Sequence, residues 1–121
     1  MTVFSDQERF MTACGQTVSE YNLDQFNLYR DLINEEVDEL TEAVESDDRV
    51  EMLDALVDIL VVTIGAIHSM GADGPGAWDE VMRTNFAKID SETGKVHKRA
   101  DGKVIKPAGW LPPELSSYVT K

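Results

Sequence analysis

Between positions 31 and 58 the chain interleaves acids with apolar residues at a spacing that only a helix can sort into faces. Twelve acids (Asp31, Glu35, Glu36, Asp38, Glu39, Glu42, Glu45, Asp47, Asp48, Glu51, Asp54 and Asp58) stand against one base, Arg49. Among them lie Leu32, Ile33, Val37, Leu40, Val44, Leu53, Leu56 and Val57. A run of like charge is ordinarily a solvated or disordered tract. Here the apolar residues recur three and four apart, which is the period of a helix with one buried stripe. The segment is therefore expected to be packed helix, and some carboxylates must sit close to whatever that stripe buries.

The rest of the chain divides in the same way. Ser5 followed by Glu8 has the capping-box pattern and starts a first helix over 6–15. A second helix is expected over 24–45, where Phe26, Tyr29, Ile33, Val37, Leu40 and Val44 form one stripe. Ser46, Asp47 and Asp48 end it and cap a third, over 49–70, which Gly71 stops. After Asp58 this third helix is apolar nearly all round, so it is expected to be the central buried one. Its β-branched residues (Val57, Ile59, Val61, Val62 and Ile64) also suit a strand, but its length and acid spacing favour helix. Asp73-Gly74-Pro75 reads as a loop, and a fourth helix over 76–89 is expected to bury Trp78, Val81, Met82, Phe86 and Ile89. Beyond it the chain is basic and broken by glycine and proline, with room for a small hairpin at Asp101-Gly102. The expected architecture is all-α: one domain over 1–121, a four-helix bundle with its helical core over 5–90 and an irregular basic tail over 91–121.

Charge and cysteine usage exclude several functions. The net charge is −12, which disfavours polymeric nucleic acid and an anionic membrane surface as partners. A single cysteine, Cys14, excludes an intramolecular disulfide and a multi-cysteine zinc site, and it reads as an apolar filler. The longest uncharged apolar run, 59–67, falls far short of the roughly 20 residues that span a bilayer. Asp6, Glu8 and Arg9 stand where a secretory signal would be apolar, so a cytoplasmic location is expected.

Helical geometry then places the acids. At about 100° per residue, Glu36 lies about 60° from the centre of the second helix's stripe, beside Tyr29, Leu32 and Ala43. Glu39 lies about 60° further round, and Glu35 further still. On the third helix Glu51, Asp54 and Asp58 share an arc of about 60°, continued by Val61, Val62 and Gly65. Carboxylates crowded beside a buried face repel one another and lose hydration. Protonation, a basic partner or a hard divalent cation relieves them, and Arg49 is the only base nearby in sequence. Oxygen donors alone suit Mg²⁺ or Mn²⁺. The plain alternative is that Glu35, Glu39 and Glu51 form solvated helix edges. A di-iron bundle needs Glu-x-x-His pairs, and neither His68 nor His97 follows a glutamate by three.

Glu35-Glu36-Val37-Asp38-Glu39 has the EExxE form of the all-α nucleoside triphosphate pyrophosphohydrolases, which include MazG, the all-α dUTPases and phosphoribosyl-ATP pyrophosphohydrolase. Asp58 and the apolar run to Gly65 resemble the aspartate and helix of that superfamily's second motif, ExxD. Asn85-x-x-Lys88, then Asp101-Gly102-Lys103 and Lys106-Pro107 through Trp110 to Pro112, are similar to the C-terminal half of small MazG-like members. The resemblance covers about 26–113. It departs at position 55, where an ExxD ending at Asp58 would need glutamate and the chain has Ala55. Glu51 and Asp54 satisfy ExxD literally, but four residues early.

The resemblance implies an all-α nucleoside triphosphate pyrophosphatase fold and Mg²⁺-dependent hydrolysis of a nucleoside triphosphate to monophosphate and pyrophosphate. Candidate substrates are dUTP or another pyrimidine nucleotide. Glu36, Glu39 and Asp58 are the expected metal ligands, with Asp54 next. Glu35 and Glu51 are expected to orient or deprotonate the attacking water, or to act as outer ligands. Lys88, Lys103 and Lys106 are candidates for phosphate contacts. Asn85 suits a base edge or a sugar hydroxyl, or packs the helix. Trp110 walls the base pocket or pins the tail. Tyr29, Phe26 and His68 read as packing, and Arg83 as a surface or phosphate residue. Family members assemble as dimers or tetramers, so a homodimer or homotetramer is expected, with a house-cleaning role in nucleotide pools. A different class remains open: a catalytically silent bundle that binds nucleotides or a protein through its acidic face.

Overall fold

Among the described residues, 1–119, the computed structural model contains four α-helices and no strand: α1 (Val3–Ala13), α2 (Leu23–Glu45), α3 (Arg49–Ser69) and α4 (Gly74–Phe86). The chain is all-α, as expected. Positions 120 and 121 of the expected tail lie outside the described residues. Two compact units emerge, Met1–Gly74 with Val119, and Pro75–Tyr118. No helix of the described residues is long and apolar enough to cross a membrane.

In the first unit α1 starts earlier than expected, because Thr2 and not Ser5 is its cap. Thr2 Oγ1 accepts from the Ser5 amide (3.1 Å) and Ser5 Oγ accepts from the Thr2 amide (2.8 Å), a capping box one turn upstream. The earlier start places Phe4 in the helix, where its carbonyl meets His68 Nε2 at 2.8 Å. Cys14 is the helix C-cap and is exposed, so it fills no core.

Helices α2 and α3 form an antiparallel hairpin. Asn22 caps α2, and its amide donates to Ser69 O at the far end of α3 (2.8 Å). Gln25 Nε2 donates to Ser69 Oγ (2.8 Å), so the open end of the hairpin is tied by two bonds. At the closed end Asp47 takes a left-handed φ of 50°, which a short polar side chain tolerates. Asp48 caps α3 as expected, its carboxylate accepting from the Glu51 amide (3.1 Å).

The core joins Met11, Tyr29 and Ala66, with Val18, Phe26, Leu32, Ile33 and Val62 packed around them. Tyr29 OH donates to Gln16 Oε1 (2.5 Å), which satisfies the one polar atom of the buried ring. The expected burial of α3 is concentrated in its last two turns, where Ile64, Ala66, His68 and Ser69 are buried. From its first turn to just past its midpoint it exposes Val50 (77%), Leu53 (64%), Leu56, Val57, Leu60 and Val61. Helix length is the reason. The 11 residues of α1 rise about 16 Å and cannot run beside all 21 residues of α3, about 31 Å long.

Helix α4 begins at Gly74, the last residue of the first unit, and Pro75, the first of the second, both expected in a loop. Proline in a first turn forfeits no helical hydrogen bond and has its φ already set. The helix ends at Phe86 and not at 89, because Ile89 pairs instead with Val96 in an isolated bridge. Trp78, Phe86 and Ile89 are exposed, contrary to expectation, whereas Thr84 is buried with its hydroxyl on Val81 O (2.7 Å). Val81 and Met82 are half-buried. The hairpin at Asp101-Gly102 reduces to a bridge between Lys98 and Val104.

Candidate functional site

An acidic groove of about 380 Å³ runs between the two arms of the α2–α3 hairpin. Glu36, Glu39, Glu42, Ala43 and Ser46 line one wall, and Asp48, Glu51, Asp54, Ala55 and Asp58 the other. Buried Ala43 and Ala55 are short enough to leave the space open between the arms. Ala55 therefore occupies the groove floor at the position where the resemblance calls for glutamate.

The expected ligands Glu36, Glu39, Asp54 and Asp58 all line this groove, and so does Glu51. Glu35 does not: it is exposed and lies outside the lining. Glu42 and Asp48 line it without having been singled out. Their signal was present, since 36, 39 and 42, like 48, 51 and 54, repeat at three residues.

Glu36 is the electrostatic centre. Its Oε2 is buried without a hydrogen-bond partner among the described residues. A hydrogen-bonding contact with the Glu39 carboxyl raises its pKa to about 7, with burial and the charges of Glu39, Asp58 and Asp54 adding to the rise. Burial, then the charges of Asp54 and Glu39, also push the Asp58 carboxyl up. Carboxylates from both helices thus repel across one groove. No three acidic, histidine or cysteine groups among the described residues already stand in a metal-holding arrangement. An all-oxygen donor set and an orphaned buried oxygen suit a hard cation.

The second unit holds a separate cluster. Lys88 Nζ and Lys106 Nζ lie 5.0 and 4.8 Å from the centroid of the Trp110 ring. Trp110 Nε1 donates to Thr84 O (2.7 Å), so this side chain pins the tail. Asn85 is exposed and accepts from Lys88 Nζ (3.0 Å) through Oδ1. Asn85, Lys88, Lys106 and Trp110 therefore come together, whereas Lys103 sits in the turn after Asp101 and is exposed. Arg83 is a surface residue paired with Glu80 at 2.8 Å.

The class these features define is the MazG-like all-α nucleoside triphosphate pyrophosphatase superfamily. Within it, the chain belongs to the phosphoribosyl-ATP pyrophosphohydrolase family, which it matches over residues 7–85. That span contains every residue lining the acidic groove and stops before Lys88, Lys103, Lys106 and Trp110. No curated protein matches the chain. The family is one of nucleotide pyrophosphohydrolases, which favours an enzyme over a silent acidic bundle.

Proposed function

We propose that the protein hydrolyses a nucleoside triphosphate to its monophosphate and pyrophosphate in a Mg²⁺-dependent reaction, with dUTP or another pyrimidine nucleotide as the leading substrate. The observation that carries this reading is the orphaned Glu36 oxygen among Glu39, Asp54 and Asp58. Those four carboxylates would hold Mg²⁺, or Mn²⁺ in its place. Bound metal would neutralise triphosphate charge and make its own water easier to deprotonate.

The chain's residues then divide the work. Glu51 faces the groove and is free to orient the attacking water and accept its proton at the carboxylate. Glu35 lies outside the groove and is the weaker candidate for that role. Lys88, Lys106 and Lys103 supply ammonium groups for the phosphates. Asn85 offers its amide to the base or sugar, and Trp110 fixes the tail that carries Lys106.

The exposed apolar face of α3 supports a homodimer or homotetramer, because monomers rarely leave so large an apolar patch in water. The setting we propose is cytoplasmic house-cleaning of mononucleotides, with neither polymeric nucleic acid nor membrane as partner.

The test is incubation with Mg²⁺ and a panel of ribo- and deoxynucleoside triphosphates that also includes phosphoribosyl-ATP. Equal yields of monophosphate and pyrophosphate support the proposal. Release of single phosphates shows a different bond being cut. No cleavage, together with no rise in melting temperature on adding Mg²⁺ or Mn²⁺, overturns it.

A further inference from the structure

Lys88 and Lys106 are 18 positions apart, yet both ammonium groups reach the same indole, that of Trp110. The intervening chain closes through two consecutive turns. In the first, Asp90 N donates to Lys95 O (2.8 Å) and Ile89 bridges Val96. In the second, Ile105 N donates to His97 O (2.7 Å) and Lys98 bridges Val104. Backbone bonds therefore bring residues 87–91, 97 and 105–107 together without help from a ligand.

A groove of about 570 Å³ opens where these segments meet. That volume lies within the roughly 300–1,000 Å³ of small-molecule sites, which combine apolar walls with a few polar groups. Here Ala87, Ile89, Ile105 and Pro107 supply the apolar lining, and both isoleucines are exposed. Lys88 lines the same groove and carries its ammonium to the Trp110 ring. Lys106 stands between the lining residues Ile105 and Pro107 and meets that ring too.

Two ammonium groups gathered at one ring repel each other, and an anion held by both relieves the repulsion. The surrounding charge agrees with an anion: over 87–107 six Lys and Arg stand against three Asp and Glu, in a chain of net charge −12. Of those acids, Asp90 is engaged by His97 (2.9 Å) and Asp101 by Arg99 (2.8 Å). The apolar lining beside Lys88 then offers cover for whatever the anion is attached to. His97 narrows that body. Its Nε2 donates to Asp90 Oδ2, because an ionised carboxylate only accepts, and its other ring nitrogen is left for a ligand. A polar edge among apolar walls suits a nucleobase. A hydrocarbon chain would strip its water and return no bond.

We infer that this groove takes the base of a nucleoside phosphate whose phosphate lies between Lys88 and Lys106. The inference rests on those lysines meeting phosphate, as proposed above, and adds where the base goes. Binding here needs no metal, because the phosphate faces ammonium groups and not carboxylates.

The test is titration of the whole protein with UMP and with AMP in EDTA, so that no metal draws phosphate to the acidic groove. NMR follows the Ile89 and Ile105 methyls and the Trp110 indole N–H. At least one nucleotide should move all three signals, whereas inorganic phosphate should move the indole alone. Lys88→Ala should weaken nucleotide binding about 10-fold or more, the scale of a lost bond to a charged group. Ile105→Asp, at an exposed position that tolerates a polar side chain, should weaken it by a similar factor. Nucleotides that leave both isoleucines unmoved overturn the inference, as does unchanged affinity in Ile105→Asp. Nucleotide and inorganic phosphate giving the same shifts would show an adventitious ion only and overturn it. Decanoate binding as tightly as the nucleotides would show a site for apolar anions in general and overturn it too. Nucleotide binding in a protein that cleaves no triphosphate leaves the groove standing and removes the proposed function. Cleavage without binding in this groove does the reverse.

Discussion

The ring of Tyr29 on α2 occupies the space beside Gly65 on α3 in which any β-carbon would sit. Alanine at 65 would gain about 1 kcal/mol of helix propensity. It would also force the Tyr29 ring or the α3 backbone to move, at about 1–3 kcal/mol for overpacking. The expected outcome is a net loss of about 1 kcal/mol in urea unfolding. The penalty should vanish when Tyr29 is also alanine, because the clash is then gone.

The raised Glu36 carboxyl sets a pH dependence. Its ordinary value is 4.5 and its value in the fold is about 7. The folded state therefore carries a strained charge above pH 7, and it gains stability as pH falls from above 7 to below 4.5. Metal-free protein should melt higher at pH 6 than at pH 8, and Glu36→Gln should lose that contrast. If Glu36 holds Mg²⁺ as proposed, the ion competes with the proton for this group and should raise the melting temperature more at pH 8 than at pH 6. Equal Mg²⁺ shifts at the two pH values would remove Glu36 from the ligand set.

Glu35 and Glu51 are separated by their places in the fold. Glu51 lines the groove and Glu35 does not. Glu51→Gln is expected to lower kcat by about 10²-fold or more, the scale of a lost general base. Glu35→Gln should leave kcat within several-fold. The reverse ranking would move the water-activating role out of the groove.

Glu80 governs the far end of the tail. The Arg83 guanidinium and the Glu114 amide (2.8 Å) hold its carboxyl down at about 2. A depressed carboxyl stabilises above its ordinary 4.5, and that contribution is lost as pH falls through about 2. Glu80→Gln should speed exchange of the Glu114 amide at neutral pH and flatten its acid dependence.

The hairpin of α2 and α3 was legible because stripe, cap and turn agree on it: Phe26 to Val44 repeat at helical spacing, and Asp48 caps α3. Thr2 and Ser5 show where local pattern fails: Ser5-x-x-Glu8 has the sequence form of a capping box, but the box that forms joins Thr2 and Ser5. The contact between Phe4 and His68, 64 positions apart, accompanies the earlier start. Apolar pattern shows what needs cover and not what supplies it, so exposed Leu53 and Leu56 read as core. Helical phase placed Glu36 and Asp58 together in the groove. The meeting of Lys88, Lys106 and Trp110 was not legible, because it depends on two turns that carry no periodic signal.

The short turn at 46–48 gives the groove a kinetic property as well. Both walls come from residues 36–58, so the acidic surface needs only neighbouring chain to close. Contacts of short sequence separation form early, ahead of long-range packing. A chain that has formed only this hairpin already has the acidic surface, before Tyr29 finds Met11 in the core. If the groove holds divalent ions as proposed, they would alter the speed of folding as well as its end point, acting as a staple on a loop of about 20 residues.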